Sequence, residues 1–113
     1  MAGTSGFINK MNITVSSIRC SLQVALLGAV TPNLRAVSVT TFQNEVTLYF
    51  YYEHQPCDEE IEISEVVASE VVSDFIEVSI IVKRIVLQMP KNIPEKGILV
   101  FHKREVSVLP ENV

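Results

Sequence analysis

The residues with the clearest chemical potential are His54 and Cys57, which lie three positions apart. This spacing could supply two ligands to zinc, or a general base beside a thiol nucleophile. Strong zinc signatures contain two such close pairs, whereas the other donors, Cys20 and His102, lie far away in the sequence. A reactive thiolate also needs electropositive surroundings, but acidic residues follow Cys57. We therefore predict no metal site, and an enzyme built on Cys57 and His54 is only a third hypothesis.

Other catalytic signatures are also missing from the sequence. The acidic residues after Cys57 form a stripe, whereas acid–base catalysis needs a cleft that separates the pKa values of two carboxyl groups. The chain has four glycines, and none opens a phosphate-binding loop that leads to a lysine. We predict no catalytic residue and no cofactor, and hence a protein that is not an enzyme.

Charge is distributed unevenly along the 113 residues, whose net charge is −4. No lysine or arginine occurs from Ala36 to Val82, a stretch that holds ten of the thirteen acidic residues. Such a field attracts a cationic protein and repels the phosphates of nucleic acid. Two interpretations are open: a surface for a partner, or a solvated helix face that pairs with Lys83, Arg84, Lys103 and Arg104.

A tyrosine-rich segment leads directly into the acidic one. Tyrosine is enriched at the centres of protein interfaces, where it offers apolar area and a hydroxyl group. Ordinary packing of these rings within the fold is the alternative, because alternation alone does not decide burial. The predicted partner-binding residues are Tyr49, Tyr51, Glu53, Asp58, Glu59, Glu62 and Glu65.

Two segments with helical periodicity position these residues. From Ile13 to Gly28 apolar residues recur every three or four positions, with Thr14 or Ser16 as the N-terminal cap and Gly28 as the stop. From Asp58 to Phe75 an acidic first turn opens a second helix. Its many valines and isoleucines favour a strand, but the separation of apolar and acidic sides predicts a helix, with Val66 alone on the acidic side.

Four segments alternate in the manner of β-strands, namely Leu34–Phe42, Glu45–Glu53, Ile76–Leu87 and Ile98–Lys103. The first two are joined by Gln43-Asn44, where asparagine tolerates positive φ, and this predicts a hairpin. We expect a bulge or bend at Lys83-Arg84. The segment from Gln88 to Gly97 contains two prolines and is expected to be irregular.

The order α-β-β-α-β-β predicts an α+β fold, with a four-stranded, mainly antiparallel sheet and two helices on one face. We expect one domain at residues 11–105, between a flexible lead-in at residues 1–10 and a flexible tail at residues 106–113. No apolar run approaches the ~20 residues that span a membrane, and a secretory signal is not recognisable. We therefore expect a cytoplasmic protein without a membrane partner, in which Cys20 and Cys57 stay reduced.

Four runs of residues also carry a resemblance, namely Leu26–Val37, Leu48–Tyr52, Val72–Phe75 and Phe101–Glu105. Together they resemble a family of small bacterial proteins associated with the immunity proteins of contact-dependent-inhibition and related polymorphic toxins. The resemblance spans about Met11 to Glu105. It implies an α+β protein that binds and neutralises a cognate toxin domain in the cytoplasm.

We therefore expect a non-enzymatic, protein-binding module of the immunity type. Its partner would be a basic toxin domain, met by the acidic segment, rather than nucleic acid. The competing hypothesis is a small structural or housekeeping protein that self-associates through its sheet as a homodimer.

Overall fold

A computed structural model describes residues 14–103 of the chain. The predicted lead-in at residues 1–10, the predicted tail at residues 106–113 and both ends of the predicted domain lie outside the described residues. Two helices and four strands follow one another, with the bounds α1 Val15–Ala25, β1 Leu34–Phe42, β2 Glu45–Tyr52, α2 Asp58–Val72, β3 Ser79–Val86 and β4 Ile98–His102. The prediction of an α+β protein with two helices and four strands is confirmed.

Helix α1 begins with the cap that the sequence predicts. The Thr14 hydroxyl oxygen accepts from the Ser17 amide at 3.0 Å, and the Ser17 hydroxyl oxygen accepts from the Thr14 amide at 2.9 Å. These bonds satisfy amides that have no partner within the first turn. The helix is shorter than predicted because it ends at Ala25, and Gly28 follows in the turn with a φ of 78° that favours glycine.

Strands β1 and β2 form the predicted hairpin, paired from Phe42 with Glu45 back to Leu34 with Tyr52. The positive φ in the turn, 55°, belongs to Gln43 and not to the asparagine beside it. The pairing shifts between Leu34 and Ala36, so that an extra residue, Arg35, bulges from β1.

The sheet has the order β3-β2-β1-β4, and its strand directions are mixed. β1 runs antiparallel to β2 and to β4, but β2 and β3 are parallel. The prediction of a mainly antiparallel sheet is therefore wrong. The physical reason is α2, because a helix between neighbouring strands carries the chain back to the end where the first strand began.

The predicted bulge at Lys83-Arg84 is also wrong. β3 pairs with β2 without a shift from Ser79 to Val86. The charged pair does not interrupt the alternation, because the two long side chains leave opposite sides of the sheet. Lys83 lies over the ring of Tyr49, while Arg84 reaches α2.

Both helices pack on one side of the sheet, which we call the helix side. β2 presents Val46, Leu48, Phe50 and Tyr52 to this core, as the alternation predicts. The helices contribute apolar residues at three- and four-residue steps, namely Ile18, Leu22, Ala25, Val67, Ala68 and Val71. α2 ends at Val72, three residues earlier than predicted, although Phe75 is still buried in the same core.

The other side of the sheet, which we call the connector side, is covered by residues 87–97. This segment must cross the sheet because β3 and β4 lie at opposite edges. The buried Arg35 side chain donates to the carbonyl oxygens of Leu87 at 2.7 Å and Lys91 at 2.8 Å, which fixes the start of the segment. At its end the φ of Gly97 is 72°, and a Cβ atom there would collide with the carbonyl oxygen of Val39.

The connector segment buries the two tyrosines predicted to contact a partner. Tyr51 is 1% exposed and Tyr49 is 8% exposed. Leu87 and Ile93 pack against them, and the Lys96 ammonium lies 5.2 Å from the centre of the Tyr49 ring. The expectation that these rings form part of an open surface is therefore not met, and the alternative of packing within the fold is the one observed.

Replacing Tyr51 by alanine is expected to lower the free energy of unfolding by about 3 kcal/mol or more, because the lost ring leaves a cavity between the sheet and the connector segment. Urea denaturation measures the change. Tyr51→Phe keeps the ring and is the matched control, expected to remain within about 1 kcal/mol of the unmodified protein. An equally small loss for both variants would contradict the burial of this ring.

Candidate functional site

The outward side of α2 carries five exposed carboxylates, which we call the acidic face: Asp58, Glu59, Glu62, Glu65 and Glu70. The inward side of the same helix is made of Ser64, Val67, Ala68 and Val71. Because α-helical side chains at three- and four-residue steps share one side, burial of the second set directs the first set to solvent. Four of the five carboxylates are among the residues predicted from the sequence, and Glu70 is an addition.

One carboxylate of the acidic face is already paired. A guanidinium nitrogen of Arg84 lies 2.9 Å from a carboxylate oxygen of Glu65, and it also donates to the Ser64 hydroxyl oxygen at 2.8 Å. The Glu65 side chain nevertheless remains 58% exposed. The Lys103 ammonium, in contrast, donates to the carbonyl oxygen of Pro32 at 2.6 Å.

The remaining carboxylates of the face, those of Asp58, Glu59, Glu62 and Glu70, make no ion pair within residues 14–103. Of the cations predicted to neutralise this helix, Arg84 forms an ion pair with Glu65 and with no other carboxylate of the acidic face within residues 14–103. Arg104 lies outside the described residues. Exposed charges without a partner keep their long-range attraction for an approaching cation.

Glu60 points the other way and holds the first turn of α2 in place. Its carboxylate accepts from the Thr31 hydroxyl at 2.6 Å, the Asn33 amide nitrogen at 3.2 Å and the Cys57 backbone amide at 3.1 Å. Asn33 also exchanges hydrogen bonds with the backbone of His54, at 2.7 Å and 3.0 Å. These contacts tie the turn before β1 to the start of α2.

The same surroundings shift two pKa values. Partial burial opposes ionisation of Glu60, but the hydrogen bonds from Thr31, Cys57 and Asn33 outweigh it and lower the pKa of that carboxyl group. Beneath it, burial and then the negative charge of Glu60 raise the pKa of Tyr52 to about 12, although Arg84 and Ser64 act in the opposite direction. Glu60 is thus ionised and structural, and it does not belong to the acidic face.

A groove runs beside the acidic face, between α2 and the turn after α1, and we call it the helix groove. Its volume is about 400 Å³. The lining is apolar except for three carboxylates, and its members are Ala25, Leu27, Gly28, Ala29, Glu59, Glu62, Ile63, Val66, Val67 and Glu70. Leu27 is 77% exposed and Val66 is 50% exposed. The exposed apolar side chains of Leu27 and Val66 therefore lie beside the three carboxylates of the lining.

The structure does not gather all seven predicted partner-binding residues. Asp58, Glu59, Glu62 and Glu65 share the acidic face, whereas Tyr49 and Tyr51 lie buried on the connector side of the sheet. Glu53 is half-buried and is engaged elsewhere, because its two carboxylate oxygens accept from the Met89 amide at 3.1 and 3.3 Å.

Sequence reasoning missed the apolar part of this surface. Val66 does stand out in the sequence, as the one apolar residue on the acidic side of α2. Leu27 has no such signal, since its exposure depends on where the turn after α1 lies against α2. The helix groove depends on how the turn after α1 packs against α2, which local sequence patterns do not predict.

Both cysteines and both histidines lie within the described residues. Cys20 and Cys57 are free and exposed, and the His54 ring nitrogen Nδ1 lies 3.5 Å from the Gln88 amide nitrogen. Across residues 14–103, no three side chains of His, Cys, Asp or Glu are grouped to hold a metal ion. Neither described helix has the length and apolar character needed to cross a membrane.

Replacing Glu60 by glutamine is expected to lower the free energy of unfolding at neutral pH by about 1 kcal/mol, a modest value because water screens a half-buried carboxylate. The pKa of Glu60 is lower in the folded state, so the ionised group stabilises the fold above its ordinary pKa of 4.5. That stabilisation is lost as the pH falls through the folded-state pKa.

Urea denaturation at a series of pH values tests this expectation. The difference between the unmodified protein and Glu60→Gln should be full at neutral pH and should shrink in acid. Glu62→Gln is the matched control, because Glu62 makes no hydrogen bond among the described residues, and it should change stability little at any pH. A difference for Glu60→Gln that stayed constant into acid would contradict the role of its charge.

Comparison with known proteins agrees with the resemblance carried by the four runs of residues. A model of the MafI2 immunity protein family matches residues 15–105, which is well over half of the chain and covers every described helix and strand. None of the curated proteins compared with the chain matches it. The extent of the family match settles the relationship: this chain belongs to the MafI2 immunity protein family.

Proposed function

We propose that this chain is a non-enzymatic immunity protein that binds and neutralises a cognate bacterial toxin domain in the cytoplasm. The toxin would belong to the contact-dependent-inhibition or related polymorphic class, and residues 11–105 would form the binding unit. The toxin domain presents a basic surface, and this surface docks on the acidic face of α2.

One observation carries the proposal. The carboxylates of Asp58, Glu59, Glu62 and Glu70 are exposed on one helix and make no ion pair within residues 14–103. A surface of one sign concentrates a partner of opposite sign around it and speeds the encounter. The same charges disfavour nucleic acid as the partner, because its phosphates would be repelled.

Neutralisation then needs no chemistry from this chain. A toxin that acts on RNA or DNA must attract phosphate, and carboxylates at helical spacing can occupy the cationic groove that does so. Binding at that groove would exclude the substrate by occupying its place. This mechanism uses only the negative charge that α2 presents on its outward side.

Reversal of two unpaired charges tests the docking surface. The double variant Glu59→Lys/Glu62→Lys is expected to slow association with the cognate toxin domain by about tenfold or more at low salt. It should also weaken the dependence of the association rate on salt. Stopped-flow or surface-based kinetics at several salt concentrations measures both effects.

The control for net charge is Glu45→Lys/Glu95→Lys, which reverses two exposed carboxylates away from α2. It changes the total charge by the same amount, so a smaller effect on association shows that position matters. If the α2 variant associated as fast as the control at low salt, the acidic face would not be the docking surface.

Self-association through the sheet is the second candidate function. β3 is an eight-residue edge strand, and Ile81 and Val86 on it are exposed. Two features oppose this assembly: charged residues on an edge strand, here Lys83 and Arg84, disfavour pairing with another strand, and the tyrosine strand β2 lies inside the sheet.

Light scattering after size exclusion is expected to give the mass of a monomer at micromolar concentration. Lys83→Val removes a charge from the edge strand and should promote pairing of β3 with a second copy of the chain. Its mass is therefore compared with that of the unmodified protein. A stable dimer of the unmodified chain that dissociates on mutation of β3 would instead favour the self-associating protein.

A further inference from the structure

We propose that the helix groove receives an apolar side chain from a short, cationic, amphipathic segment of the partner, and that Glu59, Glu62 and Glu70 hold the basic residues beside it. This inference rests on the proposed function and names the partner chemistry that its binding surface would recognise. It adds an anchoring contact to a surface otherwise defined by charge.

The groove has an apolar floor made by both helices and the turn after α1. Ala25 and Ala29 contribute from the α1 side, and Ile63 and Val67 contribute from α2. Ala25 and Val67 are buried, whereas Ala29 and Ile63 are only partly buried, so the floor is accessible from outside. A volume of about 400 Å³ leaves room for a large side chain and part of its backbone.

Two side chains at the mouth are exposed although they are apolar. Leu27 is 77% exposed and Val66 is 50% exposed, and they border the groove from opposite sides. Gly28 lies between α1 and this mouth, and apart from its own atoms and its two chain neighbours no atom among the described residues lies within 4 Å of the position that a Cβ atom would take there. Covering these side chains would remove apolar area from water, which stabilises a complex.

Charge decides which apolar partner fits. The lining contains three carboxylates and no lysine, arginine or histidine. Glu59, Glu62 and Glu70 make no ion pair within residues 14–103, so each is available to a cation of the partner. A segment that presents Leu, Phe or Met flanked by Lys or Arg matches both the floor and the rim, in the way that amphipathic segments occupy grooves between helices.

Other occupants fit less well. Binding sites for small molecules usually enclose most of the ligand, but a mouth with Leu27 this exposed does not enclose one. A second groove, between α2 and β3, has a similar volume of about 380 Å³ but a single carboxylate, that of Glu65, which Arg84 already holds. Charge complementarity therefore favours the helix groove.

The double variant Leu27→Ala/Val66→Ala tests the anchor. It is expected to speed dissociation of the cognate toxin domain by at least about tenfold, with little change in association rate, because buried apolar anchors act mainly on dissociation. Alanine favours helix more than valine does, so Val66→Ala should preserve α2. Thermal melts of the variant should match those of the unmodified protein.

Phe42→Ala is the matched control, since Phe42 is 71% exposed at the far end of the hairpin and does not line the helix groove. It should leave both rates unchanged. A dissociation rate for Leu27→Ala/Val66→Ala within twofold of the unmodified protein would overturn the anchor.

The two proposals fail in distinguishable ways. If Glu59→Lys/Glu62→Lys slows association but the alanine variant dissociates normally, the toxin docks on the acidic face and the anchor is overturned. If neither variant changes binding, both proposals fall. If the alanine variant instead lowers the mass of a dimer of this chain, the occupant is a second copy and the anchor for a toxin is overturned.

Discussion

The inward carboxylate of Glu60 is the contact on which the candidate interface depends. It accepts hydrogen bonds from Thr31, Asn33 and the first turn of α2, so it fixes the rotation of that helix relative to the turn before β1. Arg84 makes a second contact one turn further along, at Ser64 and Glu65. With the helix held at both places, the side chains of Asp58, Glu59, Glu62 and Glu70 face solvent. One carboxylate is therefore used to orient the others.

The two sides of the sheet also differ in charge. The helix side bears the acidic face, while the connector side bears the exposed Lys83, Lys91 and Lys96, with Glu95 as the acidic residue of the connector segment. A layer of sheet and a layer of helix lie between them, and Asp58, Glu59, Glu62 and Glu70 make no ion pair with these lysines within residues 14–103. A basic partner that approaches such a molecule is turned toward α2 before any contact forms.

Local patterns in the sequence were sufficient to predict the helices and strands. The bounds of β1, the Thr14 cap and the helical nature of α2 all follow from alternation, hydroxyl capping and the separation of acidic and apolar residues. The direction of β3, the burial of Tyr49 and Tyr51 and the helix groove do not follow from such patterns. Alternation assigns a tyrosine to a side of the sheet, but the path of residues 87–97, which is a long-range property, decides whether that side meets water. The same holds for Leu27, whose neighbours come from α2.

Amide hydrogen exchange of the full chain, alone and in complex with its cognate toxin domain, tests the location of the interface most directly. Protection on binding is expected to concentrate in residues 58–70 and in the turn at residues 26–29, with the connector segment at residues 87–97 unchanged. Protection confined to the connector segment, or to the exposed edge of β3, would show that the toxin meets another surface and that the acidic face of α2 is only a solvated side of a helix.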